Sequence, residues 1–392
     1  MAEYLPNPVL ADDIGYQETE DILFEIKAEI ESVYGQAHEE MLKKAEKYLA
    51  WFVALDDIKR KLFEAGKLSK DEYKRWRQTT MFQGRETYAM VETLAADLTN
   101  VDGIAASIIN GYMPEVYAVN VNWSEYVIED ALQVSTSFSL FDEATVERLI
   151  RDNPELLPKA RVDIPKDMRW NKQKMNAAIT QGILQGETID QIAVRLADVT
   201  DMSQNAAIRN AATMTTSAQN GGRMDTYERA EDMGIVVRKR WIATLDGLTR
   251  PSHRRCDGEI RETGKPFSNG LQFPGDPHGA PGEVYNCRCV VSAVVDGSKH
   301  KLSDRDTREL ERWDISYDEW KQAKGGSPIT RAHKNANRDM DMHEEYKKLL
   351  GKRVPSRFKD FQEFKYKHPG EWRKMVSDAR KARNKRRAKN GI

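Results

Sequence analysis

One stretch, "TRPSHRRCDGEIRETGKPFSNGLQFPGDPHGAPGEVYNCRC" from Thr249 to Cys289, constrains the fold of this chain more than any other. It holds all 3 cysteines, the histidines His253 and His278, and a density of Gly and Pro that no long helix tolerates. Short strands and loops must therefore occupy this segment, and something elsewhere must supply a core for them to pack on.

The rest of the sequence points to helices for that purpose. "LSKDEYKRW" places Glu72 three residues after Ser69, a capping box that predicts a helix start, with Leu68 and Tyr73 as its staple. "GETIDQIAVRLADV" repeats the signal with Thr188 and Gln191, and Ile189, Ile192, Ala193 and Leu196 follow at helical spacing. "ISYDEWKQA" carries a third box, Ser316 with Glu319. The three prolines of "RDNPELLPKARVDIPKDMRW" read as a connection near residues 151–170, and "KGGSP" as another. Around the cysteines the texture changes: "IVVRKRWIAT" reads as a strand ending at an Asp246-Gly247 turn, "GEIRETGKPF" as a hairpin around Thr263-Gly264, and "VVSAVV" as a further strand.

These signals predict an α+β chain of 3 parts: a long, mainly helical N-terminal region at 1–165, a small α+β domain with a short sheet and Cys/His loops at 166–297, and a helical C-terminal extension at 298–392. A length of 392 residues suits two or three domains. Lys+Arg 61 against Asp+Glu 62 leaves almost no net charge, so composition alone does not imply a nucleic-acid partner. No apolar run reaches the roughly eighteen residues of a membrane helix. The acidic start "MAEYLPNPVLADDIGYQETE" lacks a signal-peptide pattern, so the chain is expected in a host cytoplasm with reduced cysteines.

Charge is nevertheless uneven. In "EWRKMVSDARKARNKRRAKNGI" 9 Lys and Arg residues face Glu371 and Asp378. Such a tail from Trp372 onward, with Arg380, Lys381, Arg383, Lys385, Arg386, Arg387 and Lys389 at its end, can bind duplex DNA without sequence preference. A solvated terminus that merely balances the acidic start is the competing reading.

Cys287 and Cys289 form a C-x-C pair, and His253 with Cys256 an H-x2-C pair. Thiolate plus imidazole is a donor set that zinc favours in four-coordinate sites. The same residues also read as free buried cysteines in a turn-rich loop, and spacing alone leaves both readings open.

The surrounding residues carry a resemblance. Asp246, Arg250 and His253 in the order D-x3-R-x2-H, then Asp257-Gly258, the "PGDP" from Pro274 to Pro277, and "NCRC" from Asn286 to Cys289 resemble the MuF-type phage minor head, or head morphogenesis, domain. The likeness is densest over residues 170–295. It implies a structural role: association with the portal vertex of a tailed-phage head, contact with portal and with major capsid or scaffold protein, and a place in the virion. Packaged double-stranded DNA is the partner implied for the basic tail. The family pattern has matches for Asp246, Arg250, His253, Asp257, Gly258, Asn286, Cys287 and Cys289, but none for Cys256 or His278. A zinc site would therefore centre on His253, Cys287 and Cys289, with Cys256 a candidate fourth donor. An enzymatic alternative stands beside this reading, because Asp246, His253 and Asp257 next to a metal could activate water in a hydrolase or nuclease, and MuF domains also occur fused to toxins. No H-E-x-x-H, nucleophile elbow or phosphate-cradling loop supports it.

Overall fold

The structure is a computed structural model that describes residues 7–82, 85–132, 134–136, 138, 140–185, 187, 189–295, 307–309, 315–324 and 336–389. Helices dominate: α1 (Pro8–Ala11), α2 (Ile14–Glu64), α3 (Lys70–Phe82), α4 (Arg85–Leu132), α5 (Glu143–Asp152), α6 (Ile164–Gln185) and α7 (Ile189–Asp232). The Cys-bearing segment then inserts strands β2 (Val237–Ile242), β3 (Ile260–Glu262) and β4 (Val290–Val295) with the short helices α8 (Pro251–Cys256) and α9 (Pro281–Val284). The short strands β1 (Val134–Thr136) and β5 (Thr307–Glu309) pair antiparallel with each other. Helix α10 (Tyr317–Ala323) and helices Ala336–Leu350, Phe358–Lys367 and Pro369–Lys389 complete the described chain.

Two compact units are present: Met1–Phe24 with Met113–Pro158 and Thr215–Ile392, and Glu25–Tyr112 with Lys159–Met214. Each of the helices α2, α4 and α7 contributes residues to both. The second unit is helical among its described residues. Ile26, Ile30 and Tyr34 recur every fourth position, as do Leu94 and Leu98, and all are buried, which is the apolar stripe expected of helices packing on helices. Buried Asn171 donates to Thr99 Oγ1 (3.0 Å) and to Asp102 Oδ2 (3.1 Å). Asn110 exchanges two hydrogen bonds with Ala160, 2.9 and 2.8 Å, and so fastens the proline-rich connection.

Local signals mostly translate into structure. Ser69 and Glu72 cap each other, Glu72 N to Ser69 Oγ 3.2 Å and Ser69 N to Glu72 Oε2 2.9 Å. Ser316 and Glu319 do the same at α10. Thr188 and residues 325–328 of the KGGSP connection lie outside the described residues, while Ile192 and Leu196 of the stripe are buried. The predicted connection is shorter than its prolines suggested. Pro165 sits in the first turn of α6, where a missing N–H costs nothing.

The first unit holds the sheet, ordered β3-β2-β4 and antiparallel throughout. β2 pairs with β4 from Val237↔Val295 to Ile242↔Val290, and with β3 from Arg238↔Glu262 to Arg240↔Ile260. The expected hairpin around Thr263-Gly264 is thus corrected. Ile260–Glu262 forms one strand whose partner is β2, and the chain turns away after Glu262 with Lys265 N bonded to Glu262 O at 3.0 Å. Trp241, Val291, Tyr227, Phe267 and Cys256 belong to the core beneath. Leu10 of α1 packs with Ile242 and Val290.

The basic tail is also corrected. Pro369–Lys389 is one helix, and Trp372, Met375, Val376 and Ala379 are buried with Tyr346, Leu350, Val354 and Phe361. Its first half is therefore core rather than tail, because an apolar face at helical spacing gains more by burial than by solvation. Lys381 is exposed; the side chains of Arg380, Arg383, Lys385, Arg386, Arg387 and Lys389 lie outside the described residues.

Candidate metal centre

Two segments distant in sequence converge in the first unit. His253, presented by α8, places Nδ1 3.6 Å from Cys287 Sγ and 3.5 Å from Cys289 Sγ. The three donor atoms lie within 4.8 Å of one another and all three residues are buried. The ring of Trp241 on β2 meets the imidazole edge-on at 5.2 Å between centroids. The other ring nitrogen, Nε2, lies 3.0 Å from Glu283 Oε2, in an off-axis approach that falls short of hydrogen-bond geometry. Ser252 donates to that same carboxylate oxygen at 2.8 Å. A carboxylate beside Nε2 favours the proton there and leaves Nδ1, the atom facing both sulfurs, with a free lone pair.

The motif residues explain how α8 and the cysteine loop are held together. Asp246 and Arg288 pair, with Arg288 Nη2 donating to Asp246 Oδ1 at 2.7 Å, so the turn before α8 is tied to the residue between the two cysteines. Arg250 donates to the carbonyl of Tyr285. Asp257 accepts from Ala243 N at 2.8 Å and joins the end of α8 to the end of β2. Gly258 (φ 76°) and Asn286 (φ 55°) occupy the left-handed region, Gly without penalty and Asn as one of the few side chains that tolerate it. Gly275 of PGDP has φ 78°, and a Cβ there would come within 3.0 Å of Ser217 N on α7.

Sequence reading found the start of α7 but missed the polar stripe by which that helix carries the cysteine strand. Thr216 Oγ1 donates to Cys287 O at 2.6 Å, Asn220 donates to Cys289 O at 3.2 Å and accepts from Val291 N at 2.8 Å, and Arg223 donates to Val291 O at 3.2 Å. Thr216, Asn220 and Arg223 stand at i, i+4 and i+7, a polar stripe on α7 that could have been read as a buried one. Buried Arg223 also bonds Asn120 Oδ1 and both carboxylate oxygens of Asp13. Glu283 left no sequence signal.

Not every candidate joins the group. Cys256, although three residues from His253 on the same short helix, points into the core, where its sulfur lies 3.3 Å from Ser268 Oγ. Burial pushes its thiol up. His278 is exposed, with Nδ1 3.4 Å from Asp276. The carboxylates of the hydrolase alternative, Asp246 and Asp257, are committed to Arg288 and to Ala243 N. Cys287 and Cys289 are coupled. The neighbouring Cys289 thiol holds Cys287 below the usual thiol range against the pull of burial, and Cys287, then burial, pushes Cys289 well above it.

Residues 173–292 match the family model described as Phage Mu protein F like protein. The chain is 29% identical over 258 residues to minor head protein GP7 of Bacillus phage SPP1, covering 62% of this chain and 79% of that protein. The span 173–292 is a Phage Mu protein F like domain. Two further relatives share the likeness. It is 27% identical over 202 residues to the NAD(+)--arginine ADP-ribosyltransferase EFV of Enterococcus faecalis, covering 50% of this chain but only 40% of that enzyme. It is 25% identical over 194 residues to the uncharacterized protein YqbB of Bacillus subtilis, 47% of this chain and 60% of that one. No solved structure matches. The matched span contains the Cys/His group, the sheet as far as Ser292 and the polar stripe of α7. No helix among the described residues is long and apolar enough to cross a membrane.

Proposed function

We propose that this chain is a minor component of a tailed-phage or prophage head, built in at the portal vertex and acting in procapsid assembly, DNA packaging or ejection rather than in catalysis. The likeness to GP7 over 79% of that minor head protein supports the reading most directly. The use of the motif carboxylates as structural partners supports the non-catalytic part. The named transferase activity belongs to EFV, of which this chain spans 40%. Portal protein is the expected partner, with major capsid or scaffold protein beside it and packaged duplex DNA at the basic end of Pro369–Lys389.

Purified heads from the producing lysogen, probed for this chain before and after DNA packaging, test the proposal. The chain should sediment with procapsids and mature heads and cross-link to the portal subunit. Its absence from particles, or metal-dependent cleavage of nucleic acid or peptide lost on His253→Ala with the fold retained, would overturn it.

A further inference from the structure

We propose that His253 Nδ1, Cys287 Sγ and Cys289 Sγ form a zinc site, with Glu283 orienting the histidine through Nε2. The proposal concerns the protein alone and does not depend on the assembly role. Four observations carry it. The three donors already converge within 4.8 Å, one from α8 and two from the Cys287–Cys289 segment, and all are buried. The nitrogen that faces the sulfurs is the one that a carboxylate at Nε2 leaves unprotonated, as in the carboxylate–histidine–zinc arrangement. Nε2 is a buried polar atom without a well-formed hydrogen bond, a geometry that a small rotation of the ring toward an ion would correct. The two cysteine carbonyls are held by Thr216 and Asn220, so the sulfurs are positioned by helix α7 and not by a loop alone.

The chemistry selects the ion. Two thiolates and one neutral imidazole carry a charge of −2, which a divalent cation cancels. Neutrality matters where the donors are buried, because an uncompensated charge there is expensive. Soft sulfur donors with imidazole favour zinc over magnesium or calcium, and two thiolates are too few for an iron–sulfur cluster. Three protein donors leave the fourth corner of a tetrahedron to water or another small ligand. Cys256 is excluded as that ligand by its place in the core beside Ser268. Bound there, zinc would join α8 to the strand that α7 supports, and thiol protons would leave as it bound.

The test uses the full chain purified without chelators or metal-charged resin. Elemental analysis should find one zinc per chain, and exchange with Co(II) should give the near-ultraviolet charge-transfer bands of cobalt–thiolate bonds. Cys256→Ser should keep both signals, and Cys287→Ser and Cys289→Ser should lose them. Glu283→Gln should weaken zinc about 10–100-fold in competition with a chromophoric chelator while leaving the cobalt bands in place. Where a cysteine variant does not fold, the wild-type chain still decides: stripping the ion should make two further thiols reactive. Wild-type protein that holds no zinc and yields no cobalt–thiolate bands would overturn the site. So would a Cys287–Cys289 disulfide, seen as a mass lower by two hydrogens, or loss of the ion on Cys256→Ser. Unchanged affinity in Glu283→Gln would remove the role given to Glu283.

Discussion

His253 and His343 are both buried against an aromatic ring, yet the two regions they mark differ in what is added to the apolar core. His343, in helix Ala336–Leu350, bonds the carbonyl of Pro355 at 2.7 Å and lies 4.7 Å from the ring of Phe361. Around it Tyr346 stacks on Trp372 at 5.7 Å, and Phe361 meets Trp372 edge-on at 5.4 Å. That region is a small apolar core whose buried residues, Tyr346 to Ala379, are near one another in sequence, with Phe24 packed against it. The region of His253 has an apolar core as well, with Trp241, Phe267, Cys287 and Cys289, but its loops are held besides by polar contacts between residues far apart: Asp246 with Arg288, Thr216 with Cys287, Asn220 with Cys289 and Val291. Apolar helices close on themselves by burial, whereas Gly- and Pro-rich loops need each backbone group answered individually.

The largest effect that tests this contrast is Trp372→Ala. Loss of the ring should cost about 3–5 kcal/mol in helices Ala336–Lys389, read by denaturant unfolding and protease sensitivity of that region. Reactivity of Cys287 and Cys289 toward a thiol reagent should be unchanged. Exposure of those cysteines in the same variant would show one cooperative core in place of two.

A smaller loss is expected from Thr216→Val, which leaves the buried carbonyl of Cys287 unanswered at nearly constant side-chain volume. It should cost about 1–3 kcal/mol and speed amide exchange at Cys289 and Val291. No change would mean that burial holds this strand as it holds the C-terminal helices. Asn286→Ala should lower stability by about 1–2 kcal/mol through its left-handed backbone, and Asn286→Gly should restore most of it. Equal melting temperatures for the two variants would remove backbone strain from the account.

The smallest effect is a slope. Lys239 is buried with its Nζ on the carbonyls of Thr263 (2.6 Å) and Gln272 (2.8 Å), and burial pulls its ammonium down to about 8. The unfolded chain keeps that proton to about pH 10. Folding therefore releases a proton between the two values, and this group's contribution to stability rises with pH across that window. Urea midpoints of the wild type should rise more between about pH 8 and 10 than those of Lys239→Met. Parallel curves would mean that the carbonyls hold the ammonium charged.

What was legible in advance follows the same division. Ser69 with Glu72 and Ser316 with Glu319 announced their helices because a capping box is complete within four residues. Val237–Ile242 and Val290–Val295 were readable as strands from their own side chains. The hairpin at Thr263-Gly264 was misread because its local turn is real while its strand partner, β2, lies earlier in the chain. Trp372 was placed in a tail because the charge around it is dense and the ring that buries it, Tyr346, is on another helix.

In the site, sequence alone determined the residue types and their clustering: the C-x-C pair, His253 nearby, and the loop-forming Gly and Pro between them. It also carried the order D-x3-R-x2-H to N-C-R-C by which the MuF family is recognised. Tertiary structure decided which of those side chains meet. Cys256 and His253 share one turn of α8, yet one faces the core and the other faces Cys287 and Cys289. Glu283, Thr216 and Asn220 acquire their roles only when α7, α8 and β4 pack together. The physical reason is range: capping, turn and strand preferences act over a few residues, whereas a donor cluster is a set of distances set by packing.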